Sequence, residues 1–308
     1  MRTAPPPGPA GAAPVQLRLV RTPPVATAPL LRWLAAHAVP GVEVHDPLTG
    51  GHTRLVPTAA GPATVTVRLP ADDAPAVVAT VTLPPGGDRA TGLAEVARRL
   101  HGWLDLGTDP VVVDAWLARD PVLAPLVSAR PGLRVPGSVD GLETALFAVL
   151  GQQVSLGAAR TFAGRLMAAF GTPAPSSGDL GLRSLPSADA LVEAGPEALQ
   201  RAVGVTSARA RALHAVAAAA ADGLDLGRDA DRAGTRAALL ALPGIGPWTA
   251  DYVALRCLGD PDAWLPGDLV LRRALGAATA REAEARAEGW RPWRGYALLH
   301  LWTAAVFA

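Results

Sequence analysis

Lysine is missing altogether: all 28 basic residues are arginine. A chain without an ε-amine forms no lysine Schiff base and has no phosphate-binding lysine of the P-loop kind. A GC-rich coding sequence would explain the replacement, and the chemical consequence holds whatever its origin. Cysteine is nearly absent as well. Cys257 alone supports no disulfide framework, no cysteine-ligated zinc site and no four-cysteine iron–sulfur cluster, so a reducing, cytoplasmic compartment is expected. No charge-free apolar run of about 18 residues occurs, which argues against a membrane span. The start, Met1-Arg-Thr-Ala-Pro-Pro-Pro, leads into no hydrophobic export segment. The six histidines (37, 45, 52, 101, 214, 300) show no metal spacing. Without a zinc-deaminase signature, a Gly-x-Ser-x-Gly elbow or a Walker motif, a zinc deaminase, a serine hydrolase and a P-loop ATPase are set aside. Net charge is only +1, so bulk electrostatics do not mark a nucleic-acid binder.

What is present is a chain of 308 residues, half of them hydrophobic, enough to bury cores in two or three domains. Residues 1–14 are rich in Pro, Gly and Ala and read as a flexible tail. From residue 15 to about 83 short β-branched runs (16–20, 42–45, 63–69, 76–83) predict antiparallel strands, interrupted by one helix near 29–39. Beyond Pro84-Pro-Gly-Gly87 helices are expected near 90–104, 110–118, 139–151, 156–170, 187–194, 206–221, 230–241, 247–258, 269–276, 279–288 and 293–306. The fold class is α+β: an antiparallel sheet domain followed by a helical body.

Leu242-Pro-Gly-Ile-Gly-Pro-Trp-Thr-Ala-Asp-Tyr252 is the most informative stretch. Pro247 suits the first position of a new helix, and glycines 244 and 246 leave backbone N–H groups bare for an anion. This is either an ordinary turn between two helices or a helix-hairpin-helix grip on a DNA phosphate. Asp268, in Leu-Pro-Gly-Asp, stands where a helix N-cap is expected. It is a cap, or a carboxylate at the mouth of a pocket that activates water or stabilises a sugar cation, or both. Aromatics are only 5% of the chain, yet five of eight Trp and both Tyr fall within residues 248–302. Trp248 and Tyr252 share a helix face. Core packing and a base-stacking pocket both fit them.

Hairpin, spacer and Asp268 together resemble the helix-hairpin-helix (HhH-GPD) DNA glycosylase superfamily, and within it the bacterial 3-methyladenine DNA glycosylase II (AlkA-type) enzymes. Arg134-Val-Pro-Gly137, Leu150-Gly-Gln-Gln-Val-Ser155, Trp290-Arg-Pro-Trp-Arg294 and Tyr296-Ala-Leu-Leu-His-Leu-Trp302 carry the same likeness. The resemblance implies a TATA-binding-protein-like domain (15–107), a helical domain with the hairpin (141–260) and a discontinuous helical domain (108–140 plus 261–308). It implies Asp268 as the catalytic carboxylate and Trp248, Tyr252, Trp302 and Trp33 as the base pocket. Gly244, Ile245, Gly246 and Thr249 would meet DNA, with Gln153 as the wedge in the base stack, a place often held by Leu. The carbonyls of Leu242 and Ile245 would bind a structural monovalent cation, Na or K, with no other cofactor. Bifunctional relatives carry a Lys where Trp248 stands, so base excision alone is expected. The expected partner is double-stranded DNA containing alkylated bases, met by a cytoplasmic, nucleoid-associated monomer with no membrane contact. The alternatives are a non-catalytic DNA-binding module, a glycosylase for deaminated or oxidised bases, and an unrelated helical protein with a fortuitous hairpin.

Overall fold

A computed structural model describes residues 13–306; all but the end of the 1–14 tail lies outside the described residues. The chain begins β1 (Val15–Val20), α1 (Thr27–His37), β2 (Glu43–Asp46), β3 (Gly51–Val56), β4 (Ala63–Arg68) and β5 (Ala76–Thr82). These strands form one antiparallel sheet in the order β1-β5-β4-β3-β2, in a register that sets Val65 opposite both Val81 and Arg54. Val65, Val67, Val77 and Val81 are fully buried, each contributing about 1.5–3 kcal/mol of hydrophobic burial. Helices dominate from there to the end of the described chain, so the class is α+β.

They are α2 (Arg89–Trp103), α3 (Pro110–Leu117), α4 (Ala124–Ala129), α5 (Gly141–Leu150), α6 (Leu156–Phe170), α7 (Ala188–Val203), α8 (Ser207–Ala221), α9 (Arg232–Leu240), α10 (Pro247–Arg256), α11 (Leu269–Leu275), α12 (Ala280–Ala287) and α13 (Arg294–Val306). Side-chain N-caps mark most starts: Asp88, Asp109, Asp140, Ser155, Ser187, Thr206, Asp231, Asp268 and Thr279 each accept a first-turn N–H. α4 and α11 both pack on α13. Among the described residues no helix is long and apolar enough to cross a membrane.

The structure corrects several expected elements. β3 is an additional strand, and its polar centre, His52-Thr53-Arg54, is buried throughout. α4 is additional, as is a two-residue pairing of β6 (Thr172–Pro173) with β7 (Arg183–Ser184). The helix expected at 187–194 continues past a break at Gly195 (φ 75°) because Pro196 begins a second helical segment that runs to Val203. The first helix starts two residues earlier than expected, at Thr27, where the Thr27 N–H donates to Asp72 Oδ1 at 3.0 Å.

Two buried polar groups tie distant segments together. Arg134 is 2% exposed and donates to the carbonyls of Thr108 and Thr22 (both 2.5 Å), Asp105 (3.2 Å) and Pro24 (3.5 Å). Asp105 accepts the Tyr296 hydroxyl (2.7 Å) and the Thr108 hydroxyl (2.7 Å), while burial pushes its carboxyl above the usual range. The thiol of Cys257 is also buried, and burial pushes its pKa up to about 12.

Candidate active site

α9 ends at Leu240, and the chain turns through Gly244 (φ 80°). A Cβ there would meet the Ala212 Cβ at 2.8 Å, so both dihedral and space require glycine. Gly246 is different: it is exposed, and a Cβ at that position would have nothing within 4 Å. Pro247 then opens α10. The N–H groups of Gly244 and Gly246 meet no acceptor among the described residues and stand ahead of the positive end of a helix. Ile245 and Thr249 are buried. Their side chains brace the turn from within, leaving only main chain for an outside contact.

A second loop leans on this turn. Between α5 and α6, exposed Gln153 adopts a left-handed backbone (φ 52°), an uncommon conformation for a residue with a Cβ. Its neighbour Gln152 points inward, donating to the Gly244 carbonyl (3.0 Å) and the Thr249 hydroxyl (2.9 Å). Arg209 donates to the Gln152 carbonyl at 2.6 Å. Gln152 therefore couples the tip at Gln153 to the hairpin. Sequence reasoning points to Gln153 and passes over its partner; the Gln-Gln pair is the available signal.

Asp268 caps α11 through the Leu271 N–H on Oδ1 (2.8 Å). The same oxygen accepts Trp302 Nε1–H (3.0 Å), and Oδ2 accepts Trp248 Nε1–H (3.0 Å). Three donors from α10, α11 and α13 thus fix one carboxylate. Both readings of this residue hold structurally: it is a helix cap, and it lines a cavity of about 470 Å³, a size suited to a small organic group.

Aromatic faces wall the cavity beside Asp268. Trp248 and Tyr252 lie near-parallel (5.2 Å, 13°), with Trp302 tilted against Tyr252 (6.5 Å, 43°). Trp33 of α1 reaches the same space and stacks on His37 (3.7 Å, 14°). Burial and the Arg256 charge push His37 down to about 4, so it is neutral at physiological pH. Trp264 and Trp290 are not part of this wall. They pack edge to face in the core, so the clustering of Trp along the chain only partly reflects the cavity.

Arg256, not anticipated from the sequence, sits one turn beyond Tyr252. It donates to the carbonyls of Pro136 and Gly137 and to the Tyr252 hydroxyl. Its guanidinium lies 4.1 Å from the Trp33 ring centre and 5.4 Å from that of Tyr252, a cation–π arrangement. On the same cavity, Arg54 bridges Glu43 and Glu143 and lies 5.4 Å from the Trp103 ring centre.

Residues 16–140 match the AlkA N-terminal domain family, and residues 146–294 match the family described as "HhH-GPD superfamily base excision DNA repair protein". A Mycobacterium tuberculosis protein, "Probable bifunctional transcriptional activator/DNA repair enzyme AlkA", is 43% identical over 302 residues, covering 96% of this chain and 58% of that protein. The chain thus spans little more than half the length of this relative. "DNA-3-methyladenine glycosylase 2" of Escherichia coli is 36% identical over 210 residues, 68% of this chain and 71% of that one. Among solved structures, the 3-methyladenine DNA-glycosylase of Archaeoglobus fulgidus superposes with a TM-score of 0.80 at 20% identity, covering 94% of this chain and 98% of its own. With a carboxylate held by two indoles beside a glycine hairpin, and relatives of this kind, the chain belongs to the HhH-GPD superfamily of base excision DNA repair proteins, with an AlkA-type N-terminal domain.

Proposed function

We propose that the protein is a monofunctional DNA glycosylase that removes alkylated bases of the 3-methyladenine and 7-methylguanine kind from double-stranded DNA, acting as a monomer in the cytoplasmic nucleoid. One observation carries this reading: Asp268 is open to an aromatic cavity while three N–H donors hold it in place.

A base must leave the duplex before its glycosidic bond can be reached, at a cost of a few kcal/mol that falls for poorly paired lesions. Gln153, on its strained tip, fills the gap left in the stack. Trp248, Tyr252, Trp302 and Trp33 receive the base. A purine methylated on N3 or N7 is cationic, and aromatic faces attract it by about 0.5–2 kcal/mol more than its neutral counterpart. Arg256 already holds a positive charge over Trp33 and Tyr252, so this attraction falls to the faces of Trp248 and Trp302. Methylation has also weakened the C–N bond, and no general acid is required. Asp268 offsets the charge growing on the sugar or activates the attacking water, in a site where one fixed charge has a large effect. With no lysine in the chain, there is no ε-amine for a Schiff base, and strand cleavage by that route does not follow base release.

The hairpin holds the DNA. The open N–H groups of Gly244 and Gly246 suit one phosphate, with Ile245 and Thr249 bracing them. The Leu242 carbonyl accepts one N–H, from Ile245 at 3.2 Å, and the Ile245 carbonyl accepts none among the described residues, so both keep lone pairs that fit a monovalent cation, Na or K. Such a cation would stiffen the turn.

Incubating the protein with methylated DNA and separating the released bases by chromatography tests the reading. Free 3-methyladenine is the expected product, and its absence at high enzyme excess rejects the proposal. Gly246→Ala tests the grip. Its methyl enters open space, so folding stability should change by less than about 1 kcal/mol. DNA affinity in a gel-shift titration should fall roughly tenfold as the phosphate is held off. Unchanged affinity would remove the hairpin from the interface.

A further inference from the structure

Glu143 has an oxygen that the fold leaves without a donor. It stands on the first turn of α5, three residues after the N-cap Asp140, where a glutamate commonly reaches back to the N-cap N–H. That N–H donates instead to Ser138 Oγ at 3.1 Å, and the Glu143 side chain turns into the cavity. Oε1 accepts Arg54 Nη2–H at 2.5 Å. Oε2 accepts no hydrogen bond from the described residues, although Glu143 is only 8% exposed. Glu43, the other carboxylate on Arg54, differs: one of its oxygens accepts from Arg54 and the other from His52 at 3.2 Å. Oε2 is not sealed from solvent, so its open lone pairs face the cavity that Glu143 lines, and a donor can come from there.

We infer that Glu143 is a specificity-determining residue, presenting Oε2 to the edge of the extruded purine remote from the sugar. The inference rests on the glycosylase reading above. The sugar must lie at Asp268, whereas Glu143 belongs to a separate cluster with Arg54 and Glu43 on the same cavity and is set, in this inference, at the opposite edge of the base. Alkylated adenines carry an exocyclic amine on this edge, and deaminated adenine, hypoxanthine, carries a carbonyl there. A carboxylate at Glu143 accepts from the amine and offsets a cationic base. The protonated acid donates to the carbonyl instead.

Both forms are accessible near neutrality. Burial pushes the Glu143 carboxyl up to about 7, Asp140 and Glu43 push the same way, and Arg54 opposes them. His37, also on the cavity, is neutral, and Arg160 lines it from α6. Below neutrality the protonated donor dominates; above it the carboxylate does. The preference for cationic 3-methyladenine over neutral hypoxanthine should therefore rise with pH.

The test is single-turnover release of 3-methyladenine and of hypoxanthine by the wild type and Glu143→Gln, below and above neutrality. For the wild type, the ratio of the two rates should rise roughly tenfold across that range. Glu143→Gln should flatten the ratio and lower 3-methyladenine release roughly tenfold, with hypoxanthine release little changed. A wild-type ratio that ignores pH overturns the inference whether or not the variant folds. So does a ratio that moves equally in Glu143→Gln. Wild type that releases no base removes the glycosylase reading and this one together, whereas active wild type with a flat ratio removes this one alone.

Discussion

Asp268→Asn is expected to release alkylated bases roughly a thousandfold more slowly than the parent while still folding. The carboxylate accepts three hydrogen bonds, and an amide cannot accept all three. If Asn keeps its oxygen toward Leu271 and Trp302, the cap survives, since Asn caps a helix about as well as Asp. Its NH2 group then faces the Trp248 N–H, donor against donor, at a cost of about 1 kcal/mol. The variant should therefore melt a few degrees lower, far too little to explain the loss of rate. Single-turnover base release alongside thermal melting makes the comparison. Parent-like release by Asp268→Asn would reduce Asp268 to a helix cap.

Arg134→Met should cost the fold about 3–5 kcal/mol, the largest stability loss expected of a single change outside the cavity. Methionine roughly fills the space but donates nothing. The carbonyls of Thr22, Pro24, Asp105 and Thr108 then lose their donor inside the protein. They belong to the β1–α1 connection and the α2–α3 loop, so the loss loosens the sheet's hold on the helical body. Urea titration should show a lower midpoint with an unchanged slope. A loss below about 1 kcal/mol would mean that water replaces the guanidinium, and that the four carbonyls are not sealed.

Most of the helices were legible because their starts are written locally: an Asp, Ser or Thr cap followed by an apolar stripe needs no distant partner. β3 was not. Its centre carries His52, Thr53 and Arg54, and hydropathy alone places such residues at a surface. Arg54 is buried because Glu43 and Glu143 reach it from 11 and 89 residues away, a pairing that no local window contains. Asp268 divides in the same way. Its capping role follows from the next three residues, whereas its indole donors lie 20 and 34 positions distant in opposite directions and meet only in the folded chain. Helical spacing puts Trp248 and Tyr252 on one face but leaves core packing and a pocket equally open, and Arg256 extends that spacing by one more turn. Nothing in its composition distinguished it from the other arginines.

Under the proposed function, in which the protein meets methylated DNA, Cys257 has a chemical consequence. Reagents that methylate purines are electrophiles, and the usual protein targets of electrophiles are thiolates and neutral amines. The sole thiol of this chain is buried and stays protonated until far into alkali, which leaves almost no thiolate at neutral pH. Side-chain amines are absent, because every basic residue is a guanidinium that stays charged. A glycosylase of the proposed kind would work amid the agents that create its targets with little self-inactivation at a thiolate or at a side-chain amine.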